Sequence, residues 1–224
     1  MEELNHQHLI KAAREFCKAE SNVQREELFA ITDGKAVGTF VEHKFQEFLS
    51  SRYKVTIGSS ANGLDLPSIN TDIKVTSIKQ PQSSCPYKDS KQKIFGLGYN
   101  LIVFVYQKND DTTHKTSALN FVSCSFIEAG RTADYQTTTG LRKIIQNNGN
   151  IDDVFAFLSD HKIPADEVTL MQMAEQILKT PPQIPISLML RQQISRLIDE
   201  VKKLLRQVTL QHIQYTVDSL QQPV

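Results

Sequence analysis

A chain of 224 residues, 40% of them hydrophobic, can bury a sizeable core in one domain. Its 25 basic and 25 acidic residues give a formal net charge of zero, which excludes a partner held by overall charge. It does not exclude a local nucleic-acid groove, because the field there depends on where charges sit rather than on their sum. No apolar run has the length of a membrane span, and the start Met1-Glu-Glu-Leu-Asn-His6 is too polar for a signal peptide, so the expectation is a cytoplasmic protein with no membrane contact. Cys17, Cys85 and Cys124 are widely spaced, with no CxxC, and read as reduced thiols rather than disulfides or zinc ligands. His6 and His8 have no metal-ligand spacing and read as loop or first-turn residues.

In chain order, Leu9, Ile10, Ala13, Phe16 and Cys17 recur at helical spacing and predict a helix from about Asn5 to Ala19. A second helix is expected over Val23–Ile31, ended by Thr32-Asp-Gly34. A third, from about Lys35 to Ser50, buries a stripe of Val37, Val41, Phe45, Phe48 and Leu49. Glu42 lies at the margin of that stripe, in line with Gly38 and Gln46, and Gly38 offers a close backbone approach. Arg52–Ile57 reads as a first strand, and Gly58-Ser-Ser-Ala-Asn-Gly63 as a turn.

Thr71-Asp-Ile-Lys-Val-Thr-Ser-Ile78 alternates polar with β-branched apolar residues and reads as a half-buried strand. Asp72, Lys74 and Thr76 then share one face, and Ile73 and Val75 the other. Lys79–Lys88 is an irregular loop with two prolines, followed by a short helix over Asp89–Ile94. From Lys74 to Lys93 five lysines stand against one aspartate, the best basic stretch in a neutral chain. Gly96-Leu-Gly98 breaks the helix, and Tyr99–Tyr106 is a nearly continuous apolar run, expected as a central strand buried on both faces. Gln107–His114 reads as a hairpin loop and Thr116–Ile127 as the returning antiparallel strand, giving a mixed sheet of four or more strands flanked by helices. Ala129–Thr139 is polar and irregular, and helices are expected at about Thr139–Gln146, Ile151–Ser159 and Ala165–Lys179. Beyond the break Thr180-Pro-Pro-Gln-Ile-Pro185, one long helix is expected over Ile186–Leu220. Its residues Leu190, Ile194, Leu197, Val201, Leu204 and Val208 form a heptad seam, open to packing within the subunit or to a dimer contact.

The chemistry concentrates in Gly63-Leu-Asp-Leu-Pro-Ser-Ile-Asn-Thr-Asp72-Ile-Lys74, two carboxylates and an amine on a turn and a strand. One or two carboxylates plus a substrate phosphate suffice to hold a hard Mg²⁺ ion. A lysine beside a metal-bound water can orient it or offset developing charge. The set therefore suits phosphodiester hydrolysis. The plainer reading makes Asp72 and Lys74 an exposed pair on a sheet and Asp65 a turn residue bonding its own backbone.

Asp65 followed by Asp72-Ile-Lys74 resembles the PD-(D/E)xK nuclease superfamily, above all its type II restriction endonucleases. Glu42, in Gly38-Thr-Phe-Val-Glu42, is similar to the acid this family places on a preceding helix, with Glu47 as the alternative. The resemblance covers about Glu42 to Tyr106. It departs from the pattern in one place: Leu64, not proline, precedes Asp65, and Pro67 follows two residues later.

The resemblance implies an α/β fold with a restriction-endonuclease-like core. Residues 1–34 would form N-terminal helices, 35–128 the catalytic core, and 129–224 a helical C-terminal region of the same single domain. It implies Mg²⁺-dependent, sequence-specific cleavage of double-stranded DNA by a homodimer, leaving a 5′-phosphate and a 3′-hydroxyl. Asp65 and Asp72 would hold the metal with the carbonyl of Ile73, while Lys74 acts on the attacking water and Glu42 assists. Loops beside a catalytic strand carry recognition, so the expected DNA contacts are Asn62, Thr76, Lys79, Gln80, Gln82, Ser83, Ser84, Tyr87, Lys88, Lys91 and Lys93. Rival readings are another nuclease of the superfamily, acting in repair or junction resolution, and a non-catalytic DNA-binding or helical scaffold protein.

Overall fold

The computed structural model describes residues 1–58, 63–79, 87–161 and 163–184. They belong to one compact unit, residues 1–185, and the long helix expected over Ile186–Leu220 lies outside the described residues.

The centre is a four-stranded mixed sheet in the order β2-β6-β5-β4, with β2 Gln24–Arg25, β6 Thr116–Ile127, β5 Asn100–Asp111 and β4 Thr71–Ser77. β4 pairs parallel to β5, with Asp72 opposite Leu101 and Lys74 opposite Val103. β5 pairs antiparallel to β6, with a register shift between Val105 and Tyr106. The apolar run of β5 is central as expected, with Leu101 through Tyr106 buried on both faces. Ile102, Phe104 and Tyr106 join the main core, which α1 (His6–Glu20) and α2 (Gly34–Ser50) complete from one side. Phe104 packs on Phe45 and Phe16 with ring centroids 4.8 and 5.7 Å apart, in edge-to-face geometry. Cys17 on α1 and Cys124 on β6 are both free thiols.

Helix starts follow side-chain caps. Asn5 accepts from the N–H of His8, Asp33 from Lys35 and Asp89 from Gln92. Asp134 does the same for Thr137, which starts α4 (Tyr135–Gln146) four residues before the expected Thr139. α3 (Ser90–Phe95) ends at Gly96, whose φ of 98° suits glycine. α5 (Ile151–Asp160) carries a full capping box from Asn150 and Asp153, and α6 (Glu167–Lys179) starts from Asp166. Helices α3 to α6 close a second core around Ile94, Leu141, Leu158 and Met173.

Three expectations fail. The helix expected over Val23–Ile31 is strand β2 followed by a single 3₁₀ turn, Glu26–Leu28. Asn22 and Ala30 take left-handed φ values of 65° and 59°, which interrupt a helix at both ends, and Gln24 and Arg25 pair with Ala118 and Ser117 instead. The strand expected over Arg52–Ile57 shrinks to β3 (Tyr53–Lys54), which pairs parallel with β1 (Glu2–Glu3) outside the central sheet. The expected loop Gln107–His114 is shorter, because β5 continues to Asp111 before the hairpin turns.

Phe104→Ala is expected to lower unfolding free energy by about 3–5 kcal/mol, because a ring with 0% exposure leaves a cavity that its aromatic neighbours cannot fill; urea denaturation measures it.

Candidate active site

The motif strand orients its side chains as the alternation requires. Ile73 and Val75 face the core beneath α2, while Asp72 pairs with Lys74, Oδ2 to Nζ 2.7 Å, on the other face. The Asp72 side chain is 9% exposed and that of Lys74 41%, so the carboxylate sits at the floor and the amine faces the opening. Lys74 is thus not a plain exposed sheet residue: it balances a buried charge.

Asp65 reaches the same place by a different route. Leu66 and Thr71 form an antiparallel bridge, with N–H to carbonyl distances of 3.0 and 3.2 Å, which folds the segment back along the free edge of β4. A 3₁₀ turn over Pro67–Ile69 and a left-handed Asn70, φ 47°, close this small hairpin. Asn70 Nδ2 donates to the Gly98 carbonyl at 3.0 Å, and the Asn100 N–H donates to the Asn70 carbonyl at 2.9 Å, tying the turn to the start of β5. On the other flank, the Gly58 N–H donates to the Asp65 carbonyl at 2.8 Å. With the backbone fixed in this way, Asp65 Oδ2 accepts the Ile73 N–H at 2.7 Å. Because a strand residue directs N–H and C=O to the same side, the Ile73 carbonyl also leaves the sheet on this edge, beside Asp65.

Glu42 on α2 completes the cluster. Its carboxyl is within hydrogen-bonding reach of Asp65, which in turn bonds Asp72. Glu42, Asp65, Asp72 and Lys74 therefore run in one chain of contacts, three acids answered by one amine. The consequences are electrostatic. Burial is the largest cause pushing the Asp72 carboxyl up to about 6; its hydrogen bond to Asp65, in which protonated Asp72 donates, pushes the same way and Lys74 pulls against both. Burial also raises Asp65, opposed by its bonds to Asp72 and the Ile73 amide and reinforced by Glu42. Two crowded carboxyls with raised proton affinity are short of positive charge.

That shortage, and an all-oxygen donor set, fit a hard divalent cation. Asp65, Asp72 and the Ile73 carbonyl would hold it with waters filling the remaining positions. No group of three or more His, Cys, Asp or Glu forms a ready-made metal cage among the described residues. The fit is thus to a water-rich site and not to a protein-only one.

The expected DNA contacts are spread more widely. Thr76 lies on β4, half-buried, on the face of Lys74. Lys79 is exposed just past the other end of β4, roughly 20 Å from Asp72 at about 3.3 Å per residue. Tyr87 turns its hydroxyl onto the Thr132 carbonyl, 3.3 Å away. Lys88 and Lys91 are exposed and Lys93 half-buried around α3. α3 feeds through Gly96–Gly98 into the start of β5, so it stands at the same end of the sheet as the carboxylates. The lysines of the 74–93 stretch therefore do not make one continuous patch. Asn62, Gln80, Gln82, Ser83 and Ser84 lie outside the described residues. The residue pattern marks Gly58 only as part of a turn and gives no local sign of the Leu66–Thr71 bridge beyond the glycine itself and the Pro67–Asn70 pair.

The raised carboxyl fixes the sign of a pH effect. Between the ordinary carboxylate value and about 6 the folded protein holds a proton that the unfolded chain releases, so stability falls as pH rises through this window and stays lower above it. Asp72→Asn, neutral at every pH, is expected to stabilise the cation-free protein at pH 7 by on the order of 1–2 kcal/mol, and by nothing below pH about 4. Thermal melting of both proteins across pH without divalent cation measures it.

Comparison with known proteins identifies the family. The family model described as type II restriction enzyme NspV matches residues 3–205. The type II restriction enzyme NspV of Nostoc sp. is 50% identical over 167 residues, which span 75% of this chain and 76% of the relative. No solved structure matches the chain. The chain therefore belongs to the NspV family of type II restriction enzymes, and is a restriction endonuclease.

Proposed function

We propose that this endonuclease cleaves both strands of double-stranded DNA at a short specific sequence, using Mg²⁺, with Asp65, Asp72, Lys74 and Glu42 as its catalytic set. The observation that carries the proposal is the convergence of Asp65 and Asp72, from separate segments, with Lys74 2.7 Å from Asp72. Restriction enzymes of this type act on DNA and generally use a divalent metal; the choice of Mg²⁺ rests on the oxygen-only donors.

Each residue has a distinct task. Asp65 and Asp72 hold the cation, together with the Ile73 carbonyl. When bound, Mg²⁺ supplies neutralisation of the phosphate and a water of lowered pKa. Lys74, steadied by Asp72, donates to the attacking water and offsets charge as it builds on the phosphate oxygens. Glu42 would assist by holding a water bound to the cation, or by binding a second cation. The water oxygen would attack phosphorus in line with the 3′-oxygen while its proton passes to solvent; the P–O3′ bond breaks and O3′ takes a proton from solvent, leaving a 5′-phosphate and a 3′-hydroxyl. Lys88, Lys91 and Lys93, around α3 at the carboxylates' end of the sheet, would contact the DNA backbone, and Asn62, Thr76, Lys79, Gln80, Gln82, Ser83, Ser84 and Tyr87 remain candidates for DNA contact.

Cutting two strands at a symmetric sequence needs two sites related by a two-fold axis. A homodimer supplies them, and the heptad seam over 186–220 is the candidate contact. This reading keeps the chain as one endonuclease domain with a helical C-terminal region. The family match favours restriction over repair or junction resolution, and over a scaffold without catalysis.

Digestion of a plasmid of known sequence with Mg²⁺, followed by mapping of the ends, tests the activity. Fragments with defined 5′-phosphate ends at a palindrome are expected, and heterogeneous nicking would sink the restriction reading. Asp65→Ala, Asp72→Ala and Lys74→Ala should each slow cleavage at least ~10³-fold while retaining specific DNA binding in a gel-shift assay. Parental cleavage by any of them would remove that residue from the site.

A further inference from the structure

Gly58 lies outside both cores, yet it is in closer contact with the candidate site's backbone than a side chain would allow. A β-carbon at this position would stand 1.8 Å from the Leu64 carbonyl oxygen, 2.9 Å from its carbonyl carbon and 3.4 Å from Pro67 Cδ. The obstacle is backbone, so no rotamer change relieves it. The φ of Gly58 is not left-handed, which makes space the constraint rather than backbone conformation. The same residue donates its N–H to the Asp65 carbonyl at 2.8 Å.

We propose that Gly58 is a positioning residue for DNA cleavage: its missing side chain lets the Leu64–Asp65 backbone lie against residue 58, and this sets where the Asp65 carboxylate meets Asp72. Asp65 is held between two contacts, Gly58 on its main chain and the Ile73 amide on its carboxylate, the latter at 2.7 Å. Bringing a new β-carbon from 1.8 Å to the near edge of ordinary contact, 3.4 Å, requires residue 58 and the Leu64–Asp65 backbone to separate by roughly 1.6 Å. Metal–ligand distances tolerate about 0.2 Å. A shift that the rest of the fold absorbs is therefore too large for the site. Gly38 is the natural contrast: it faces the same strand from α2, but a β-carbon there meets Val75 Cβ at 3.9 Å, an ordinary contact.

The inference rests on Asp65 as a metal ligand, so the test includes that residue. Gly58→Ala, Gly38→Ala and Asp65→Ala are compared by thermal melting, by Mg²⁺ titration of plasmid cleavage, and by calorimetric titration of Mn²⁺ without DNA. Gly58→Ala is expected to melt within a few degrees of the parent. It should cleave about 100-fold slower at saturating DNA, require at least ~10-fold more Mg²⁺, and bind Mn²⁺ at least ~10-fold more weakly. Gly38→Ala should match the parent in cleavage and Mn²⁺ binding and melt no lower than it, because alanine is favoured inside a helix. Gly58→Ala with parental rate and metal demand overturns the inference. So does a Gly58→Ala protein that does not fold, because Gly58 would then serve the fold as a whole. If Asp65→Ala loses cleavage and Mn²⁺ affinity while Gly58→Ala keeps both, only the role of Gly58 fails. If Asp65→Ala behaves like the parent, the metal-ligand reading itself fails and takes the inference with it.

Discussion

The hydrogen bond from the Ile73 amide to the Asp65 carboxylate, 2.7 Å long, is the contact on which the site depends. It joins a residue from an irregular segment to the strand that carries the other two groups of the motif. A sheet interior cannot offer such a bond, because its amides are already paired with neighbouring strands. β4 can, because among the described residues it is the outermost strand of its sheet. The order of strands is therefore a chemical matter. Only at an edge can backbone donors and carbonyls of the motif strand take part in building a polar site.

Electrostatics sets the second constraint. Glu42, Asp65 and Asp72 crowd together with one amine in contact, and burial drives both aspartates toward the neutral form. A protein selected for stability alone would replace one of these acids. Unbalanced negative charge in a half-buried place is the environment a divalent cation prefers, which is what supports the proposed metal site. The neutral total charge of the chain says nothing against this, since the imbalance is confined to four side chains.

Much of this was legible in the sequence, for reasons that differ by element. β5 and β6 were readable because their patterns are long and span a full crossing of the sheet. Helix starts were readable to within a few residues where an Asp or Asn cap stands before an apolar stripe, as at Asn5, Asp33 and Asp89. Asp72 and Lys74 were readable as one face from alternation alone. The 23–31 segment was not: its nine residues are too few for helical spacing to outweigh pairing with β6 that depends on residues a hundred positions away. Nor was the way Asp65 reaches Asp72. The seven-residue separation specifies only that the two can meet; the small hairpin through a left-handed Asn70 and the backbone contact at Gly58 make them do so. Distant contacts of this kind leave no local period in a sequence.

The small hairpin has one more effect, on how the molecule behaves toward copies of itself. An outermost strand with open amides is a template onto which another chain can add, and that is a common beginning of fibrils. Here the first part of β4 is occupied by Leu66 and by the Asp65 carboxylate. The carboxylate proposed to grip a cation thus also takes up an amide that an incoming strand would need.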